Sequence, residues 1–203
     1  METKIIDSTQ IDLAVNSLKK GETIAFKTDT IFGFSCLASN KTACQNLLKI
    51  KGRENKPLIV LLGENINLND FVLEIPEKVK KIITKFWPGP LTIIFELKYP
   101  FCDEITCGKK TIALRMPNHK LTQDLIKKVG EPIVSTSANL SGQTALNTAK
   151  EIFQTFNGKI PYILDDFSCN QDSQSSTIIS CIKNEIVVLR EGVIKKEELD
   201  KML

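Results

Sequence analysis

The sequence predicts an α/β fold in which helices flank a twisted, mixed sheet. Segments with apolar residues at helical spacing alternate with short apolar runs that are typical of strands. A hairpin predicted near the end of the chain adds antiparallel pairing, so the sheet is expected to be mixed rather than purely parallel. The 203 residues, of which 42% are hydrophobic, suffice for a substantial core, and residues 1–203 are predicted to form a single domain.

The elements of the first half follow from apolar spacing and from capping residues. Ser8 and Asn40 each precede apolar residues at helical spacing, so both are predicted N-caps. The Trp-Pro-Gly-Pro run at 87–90 must end a helix, because proline cannot continue one. The predicted elements are a helix over 9–20, a strand over 23–26, a helix over 41–50, a buried strand over 58–62, a helical turn over 67–73 and a helix over 76–86.

In the second half, Asn118 is the predicted cap of a helix that Gly130 closes. The apolar run Ile133-Val134 predicts a short strand, and the hairpin is expected to turn at Lys183-Asn184. The other predictions are strands over 91–97, 111–115 and 160–164, an irregular loop over 98–110, helices over 147–156 and 195–202, a mobile segment over 165–175, and hairpin strands over 176–181 and 185–190.

Composition argues against several classes of protein. A net charge of +3 is too small to indicate nucleic-acid binding by itself. Six cysteines without a Cys-x-x-Cys pair and a single histidine predict neither a metal site nor a Ser-His-Asp arrangement. The cysteines are expected to be reduced thiols, Cys102 and Cys107 included, and His119 is expected at the surface. Because no apolar leader or membrane-length run is present, a cytoplasmic location is expected.

The stretch 132–142 is the expected centre of the functional site. Its apolar start opens into three serines, a threonine, an asparagine and a final glycine. Short polar side chains and free backbone N–H groups at the rim of a sheet suit a ligand rich in oxygen. Taken alone, the same stretch also suits a polar turn with an N-cap serine.

Two polar clusters follow apolar elements in the first half of the chain. Residues 28–33 leave the first strand. Lys51, Arg53 and Lys56 place three cations within six positions, which suits a polyanion such as a triphosphate. The same three cations also suit a solvated helix end, where the helix dipole favours positive charge.

Two further clusters lie in the second half. Arg115 ends a strand, where it could clamp a carboxylate or form a surface ion pair. Ser176-Thr177 and Arg190-Glu191-Gly192 stand at the two ends of the hairpin. The run 108–111 is not a phosphate loop, because Asp103 occupies the position of the required upstream glycine.

In this order, the clusters resemble the YrdC/TsaC family of threonylcarbamoyl-AMP synthases. The resemblance extends from about residue 10 to residue 194. The matching runs are Lys27-Thr28-Asp29-Thr30-Ile31-Phe32-Gly33, Lys51-Gly52-Arg53, Lys56-Pro57-Leu58, Phe86-Trp87-Pro88-Gly89-Pro90-Leu91-Thr92, Ala113-Leu114-Arg115-Met116-Pro117, Ser135-Thr136-Ser137-Ala138-Asn139-Leu140-Ser141-Gly142, Ser176-Thr177 and Leu189-Arg190-Glu191-Gly192.

The resemblance implies a concave, positively charged cavity and a specific reaction. L-threonine, bicarbonate or CO2, and ATP would give threonylcarbamoyl-AMP and pyrophosphate. A downstream threonylcarbamoyl transferase complex would then modify tRNAs that read ANN codons, with at most a weak direct contact between this protein and tRNA. The chain is expected to be the short form of the family, without the additional C-terminal domain of longer members.

The resemblance also implies roles for individual residues. The catalytic pair would be Lys51 and Arg53, both on the phosphates. The ATP-binding residues would be Lys51, Arg53, Asn55, Ser137, Asn139 and Arg190. The threonine-binding residues would be Thr28, Phe32, Arg115 and Ser176, with Arg115 on the amino-acid carboxylate.

Two positions depart from the family pattern. Lys27 stands where many members have proline, which adds a cation near the cavity. Phe32 stands where many members have tyrosine, so a hydroxyl contact is lost while stacking is retained. The sequence shows no cluster of carboxylates that could hold a metal, so Mg²⁺ is expected to arrive bound to ATP. Asp29 is the nearest candidate for a general base.

Two other functions remain open at this point. The chain could bind double-stranded RNA or tRNA directly, or act in ribosome maturation, although its mild charge argues against this. It could also be a carbamoyl transferase like related domains of hydrogenase-maturation proteins, although those domains sit in much longer chains. A structural role would leave the polar clusters unexplained.

Overall fold

Ten strands form one sheet in residues 2–52, 56–167 and 174–202, which are the residues that this computed structural model describes. The strands are β1 (Lys4–Ile6), β2 (Ile24–Lys27), β3 (Phe32–Leu37), β4 (Ile59–Leu61), β5 (Leu91–Glu96), β6 (Thr111–Arg115), β7 (Ile133–Ser137), β8 (Tyr162–Leu164), β9 (Thr177–Ser180) and β10 (Val187–Arg190). Their order across the sheet is β1-β8-β2-β3-β7-β4-β6-β5-β9-β10. β1 and β2 run parallel to β8, β4 to β6 and β5 to β9, and the other neighbouring pairs are antiparallel. The predicted mixed α/β fold is confirmed.

Helices flank the sheet on both faces. The side chain of Asn40 accepts the N–H of Ala43 at 3.0 Å, so the predicted cap of the second helix is confirmed. Gly130 adopts the left-handed conformation that closes α5, also as predicted. The helices in the described residues are α1 (Ile11–Lys19), α2 (Lys41–Lys51), α3 (Glu77–Phe86), α4 (Asp103–Thr106), α5 (Lys120–Val129), α6 (Ala149–Phe156) and α7 (Lys196–Asp200), with 3-10 turns at Ser8–Gln10, Leu68–Asp70 and Ile182–Asn184.

The sequence patterns miss β1, β3 and α4. β1 has only three residues, too few to show an alternation. β3 is buried at every position, and Gly33 and Ser35 weaken its strand signal, so neither alternation nor propensity marks it. α4 interrupts the predicted irregular loop over 98–110. Of the predicted mobile segment, residues 168–173 lie outside the described residues, and its mobility stays a prediction.

Two predicted caps are wrong. Asp7, not Ser8, caps the first helical turn, because its carboxylate accepts a backbone N–H two residues later at 2.8 Å. His119 rather than Asn118 precedes α5. The backbone N–H of Asn118 is instead donated to the carboxylate of Asp29 at 3.1 Å, which holds that residue outside the helix.

The two faces of the sheet bury different cores. Successive residues in a strand point to opposite faces, so Ala25 of β2 faces one core and Phe26 faces the other. Helices α2, α3 and α6 pack against the core on the Ala25 side. On the Phe26 side, α1 and α5 pack together over the half of the sheet that contains β1, β8, β2 and β3.

The other half of the Phe26 side is open. A row of paired residues crosses it, from Ser135 through Ile59 and Ala113 to Ile94. All four are only half-buried, because the described helices on this side pack over the opposite half. This open half of the sheet is where a ligand can reach the ends of β4, β6 and β7.

His119 is buried, with 8% of its surface exposed, and its predicted surface position is therefore wrong. Its Nδ1 lies 3.0 Å from the hydroxyl of Thr122 and its Nε2 lies 3.5 Å from a carboxylate oxygen of Asp166. Burial lowers the pKa of His119 below its ordinary value, and the charges of Asp166 and Asp29 only partly oppose this effect. The buried imidazole thus connects α5 to the segment that follows β8.

We expect this burial to make the folded state less stable in mild acid. The unfolded chain binds a proton on His119 at pH about 6.5, whereas the folded chain resists it. The free energy of unfolding should therefore fall as the pH drops below about 6.5 and level off below the folded-state pKa. The free energy of unfolding can be measured by urea unfolding at several pH values between about 8 and about 5.5. Its decrease with falling pH should be smaller for His119→Asn than for the unsubstituted protein. Equal slopes would contradict this account.

The described cysteines are free thiols, and Cys102 and Cys107 are not bonded to each other. The sulfur atoms of Cys36 and Cys44 lie 3.8 Å apart in the core. Cys169 lies outside the described residues. No helix in the described parts of the chain is long and apolar enough to cross a membrane.

Candidate functional site

The open half of the sheet forms the floor of a cavity of about 550 Å³. Its walls come from the loop after β2, the loop after β7 and the β9–β10 hairpin. A volume of this size is within the range of small-molecule sites. Seven residues predicted from the sequence line it: Thr28, Phe32, Arg115, Ser137, Asn139, Ser176 and Arg190.

Strand register explains why distant residues meet here. Gly33 of β3 pairs with Ser137 of β7, and Leu61 of β4 pairs with Arg115 of β6. A Cβ atom at Gly33 would lie 2.6 Å from the hydroxyl of Ser135 and 3.2 Å from a backbone oxygen of Thr136. Glycine at this position therefore lets β3 and β7 lie close together beside the cavity.

Arg115 occupies one end of the cavity, with only 5% of its surface exposed. Its Nε donates to the carbonyl of Gly89 at 3.1 Å, its Nη1 to the hydroxyl of Thr30 at 2.7 Å, and its Nη2 to the carboxylate of Asp29. The alternative of a surface ion pair is thus wrong, because the pair with Asp29 is buried. A guanidinium has five N–H groups, so two hydrogens on Nη1 and Nη2 are left for a ligand.

Arg190, the last residue of β10, lies on another wall of the cavity. Its Nε and Nη2 donate to the backbone oxygen of Ser176 at 3.2 and 2.8 Å. The hydroxyl of Ser176 lies 2.9 Å from that of Thr92, which fixes this contact to β5. Gly192 is needed nearby, since a Cβ there would lie 2.1 Å from the backbone oxygen of Ser175.

Lys51 at the end of α2 is buried and reaches the loop after β7. Its Nζ lies 2.6 Å from Oδ1 of Asn139 and 3.2 Å from Oγ of Ser137, and it also contacts the backbone oxygens of both residues. The backbone oxygen of Lys51 accepts the N–H of Ser141 at 2.9 Å. Helix α2 and the Ser137–Ser141 loop are therefore held as one unit. The alternative of a solvated helix end is wrong for Lys51, which is 3% exposed.

The lining is positively charged. Lys109, Arg115 and Arg190 contribute cationic side chains, and no aspartate or glutamate is among the described residues that line the cavity. Burial lowers the pKa of Arg115, and the positive charge of Arg190 adds to the effect. Burial likewise lowers the pKa of Arg190. Both arginines still carry their charge at neutral pH, so the cavity favours an anionic ligand.

Not every predicted site residue can be assigned to this cavity. Arg53 and Asn55 lie outside the described residues. Lys51 contacts two lining residues but does not line the cavity itself. In the described parts of the chain, no group of three or more His, Cys, Asp or Glu residues is arranged to hold a metal ion.

Lys109 also lines the cavity, and the sequence analysis missed it. Thr30 and Ser135 line it as well; both lie in clusters that the sequence analysis named, but neither was given a role of its own. Lys109 stands in the run Gly108-Lys109-Lys110-Thr111, which was considered as a phosphate loop and rejected, so Lys109 was not assigned to the site. Lys109 reaches the cavity because β6 starts two residues later and carries the segment to its rim.

Known proteins are similar over most of the chain. The Sua5/YciO/YrdC family model, described as telomere recombination, matches residues 16–192. A threonylcarbamoyl-AMP synthase from Bacillus subtilis (strain 168) is 36% identical over 196 residues, which are 96% of this chain and 56% of that protein. A putative threonylcarbamoyl-AMP synthase from Methanocaldococcus jannaschii is 33% identical over 190 residues, 93% of this chain and 88% of that protein.

A solved structure is similar over the full chain. The crystal structure of Sua5 from Pyrococcus abyssi complexed with L-threonine has a TM-score of 0.92 and 30% identity, and it covers 100% of this chain and 61% of that protein. The chain spans little more than half the length of the curated relatives that it matches first, 56% and 58% for two of them.

We expect Lys51→Met to weaken both the fold and the site. The variant loses charge-assisted hydrogen bonds to Ser137 and Asn139, which are worth about 2–3 kcal/mol together. Urea unfolding should show that loss. The matched control is Lys49→Met, which removes an exposed lysine from the same helix and should change stability by less than about 0.5 kcal/mol. Equal effects of the two substitutions would contradict the proposed tie.

Proposed function

The chain belongs to the Sua5/YciO/YrdC family, and from this premise we propose that it is an L-threonylcarbamoyladenylate synthase. In this reaction L-threonine, bicarbonate or CO2, and ATP give threonylcarbamoyl-AMP and pyrophosphate. The enzyme is in that case a nucleotidyltransferase, because it transfers the adenylyl group of ATP. We place its activity in the cytoplasm, within the modification of tRNAs that read ANN codons.

One observation carries this proposal: a single cavity is lined by two arginines and by short polar side chains. Arg115 and Arg190 both contribute a guanidinium to its lining. Ser137 and Asn139 line the same cavity and are held by Lys51. Such a cavity suits two anionic substrates that must react with each other.

The relatives support the same assignment. The Bacillus relative is called threonylcarbamoyl-AMP synthase, and the Pyrococcus structure is described as a complex with L-threonine. These names favour the synthase and give no support to the alternative of an RNA-binding or ribosome-maturation factor. The mild net charge of +3 points the same way.

We assign Arg115 to the amino-acid carboxylate. Its two remaining Nη hydrogens suit the two oxygens of a carboxylate, which a guanidinium binds in bidentate fashion. Thr28, Phe32 and Ser176 also line the cavity. These four residues form the proposed threonine site.

We assign Ser137, Asn139 and Arg190, which all line the cavity, to the nucleotide. Lys51 orients Ser137 and Asn139, and Arg53 and Asn55 are proposed ATP ligands from the sequence pattern alone. The attacking carbamate and the ATP phosphates are both anions, so the first obstacle to reaction is charge repulsion. Preorganised cations offset that repulsion without reorganising during the reaction.

Positioning supplies much of the remaining rate enhancement. The amine of threonine captures CO2 as a carbamate, a carbamate oxygen attacks the α-phosphorus, and pyrophosphate leaves. Holding two reactants in line is worth about 7–11 kcal/mol in favourable cases. We propose that Mg²⁺ enters bound to the ATP phosphates, where it neutralises charge, because no carboxylate among the described lining residues offers it a site. A downstream threonylcarbamoyl transferase complex would take the product.

Pyrophosphate release from ATP tests the proposal. With ¹³C-bicarbonate and Mg²⁺ present, release should require L-threonine, and mass spectrometry should find the label in threonylcarbamoyl-AMP. Release that ignores threonine, or no release together with tight tRNA binding at low salt in a filter assay, would contradict the synthase assignment.

Two substitutions should separate the two ends of the site. Arg115→Gln should raise the KM for threonine about 10- to 100-fold, and Arg190→Gln should raise the KM for ATP by a similar factor, because each loses charge-assisted hydrogen bonds to one substrate. Lys120→Gln, which removes an exposed lysine paired with Asp124, is the control and should change neither. If either arginine substitution raised both KM values equally, the division of the cavity would be wrong.

A further inference from the structure

Asp29 lies directly behind Arg115. One carboxylate oxygen accepts from Nη2 of Arg115, and the other accepts the backbone N–H of Asn118 at 3.1 Å. The Asp29 side chain is only 12% exposed. Asp29 therefore joins three segments: the loop after β2, the end of β6 and the turn before α5.

The carboxylate of Asp29 does not face the cavity. Among the described residues that line the cavity are its neighbours Thr28 and Thr30, but not Asp29 itself. Thr28 and Thr30 are tied to each other by hydroxyl groups 2.9 Å apart, and Thr30 accepts from Nη1 of Arg115. The loop thus presents hydroxyls to the cavity and a carboxylate to the back of the guanidinium.

Asp29 also determines which hydrogens of Arg115 stay available. Its contact at Nη2, the Thr30 contact at Nη1 and the Gly89 contact at Nε restrain the guanidinium plane on three sides. Without Asp29, Arg115 would be a buried cation close enough to Arg190 to be repelled by it. The guanidinium would then be free to turn away from the cavity.

We propose that Asp29 is a positioning residue, which holds Arg115 in the orientation that binds the carboxylate of the amino-acid substrate. This inference rests on the proposed function and adds a residue to the proposed threonine site. It also assigns Asp29 a role other than the general base suggested by its position in the sequence. A base would have to reach the substrate amine, whereas both oxygens of Asp29 accept hydrogen bonds from the protein.

The test compares Michaelis constants for Asp29→Asn, which keeps the size of the side chain and removes its charge. The KM for threonine should rise roughly tenfold, while the KM for ATP stays within about twofold. Asp29→Glu keeps the charge and should give an intermediate KM for threonine. Asp124→Asn removes a carboxylate from an exposed ion pair on α5 and is the matched control, with both constants unchanged.

A double-mutant cycle shows whether Asp29 acts through Arg115. In an Arg115→Gln background, Asp29→Asn should raise the KM for threonine no further, because the group that it positions is already absent. Additive effects would overturn the proposal. So would a fall in kcat at unchanged KM, which is the result expected of a general base, or equal rises in both KM values.

Circular dichroism at the assay temperature shows whether each variant is folded. If Asp29→Asn does not fold, the proposal stands or falls on Asp29→Glu, for which the KM for threonine must rise and that for ATP must not. The proposed function fails separately, if the unsubstituted protein releases no pyrophosphate in the presence of threonine. If the unsubstituted protein is active and the Asp29 variants have the same Michaelis constants as it has, only the proposed role of Asp29 is overturned.

Discussion

The site depends on how α1 and α5 cover the sheet. They pack together over the half of one face that contains β1, β8, β2 and β3, and the other half of that face is open in the described residues. The opposite face is buried under α2, α3 and α6. One face of the sheet is therefore covered and the other is partly uncovered, and the ends of β6 and β7 lie at the uncovered part.

Cationic side chains held by the protein then make this open surface selective, with Lys51 and Arg115 buried and Arg190 exposed. Lys51 is hydrogen-bonded to the loop after β7, Arg115 to the loop after β2 and to Gly89, and Arg190 to Ser176 at the start of the hairpin. Each is held by protein oxygens in advance, so none has to be ordered when a ligand binds. The cost is charge that is partly removed from water, and the neighbouring carbonyl groups and Asp29 offset it.

Sequence patterns drew attention to residues at strand ends. Ser137, Asn139 and Arg115 follow apolar runs, and all three line the cavity. They could not predict pairings between distant positions, such as Asp29 with Arg115, 86 residues apart. The burial of His119 was missed for the same reason, since its contact partner Asp166 is distant in the sequence. The role of each residue on a substrate stays a prediction.

The central claim is that one continuous cavity holds both substrates, with the amino acid at Arg115 and the nucleotide near Arg190. The most direct measurement is calorimetric binding of a stable threonylcarbamoyl-AMP analogue in competition with ATP and with threonine. The account predicts that the analogue binds more tightly than either substrate and is displaced by both, because it spans both ends. Displacement by only one of the two would contradict a shared cavity.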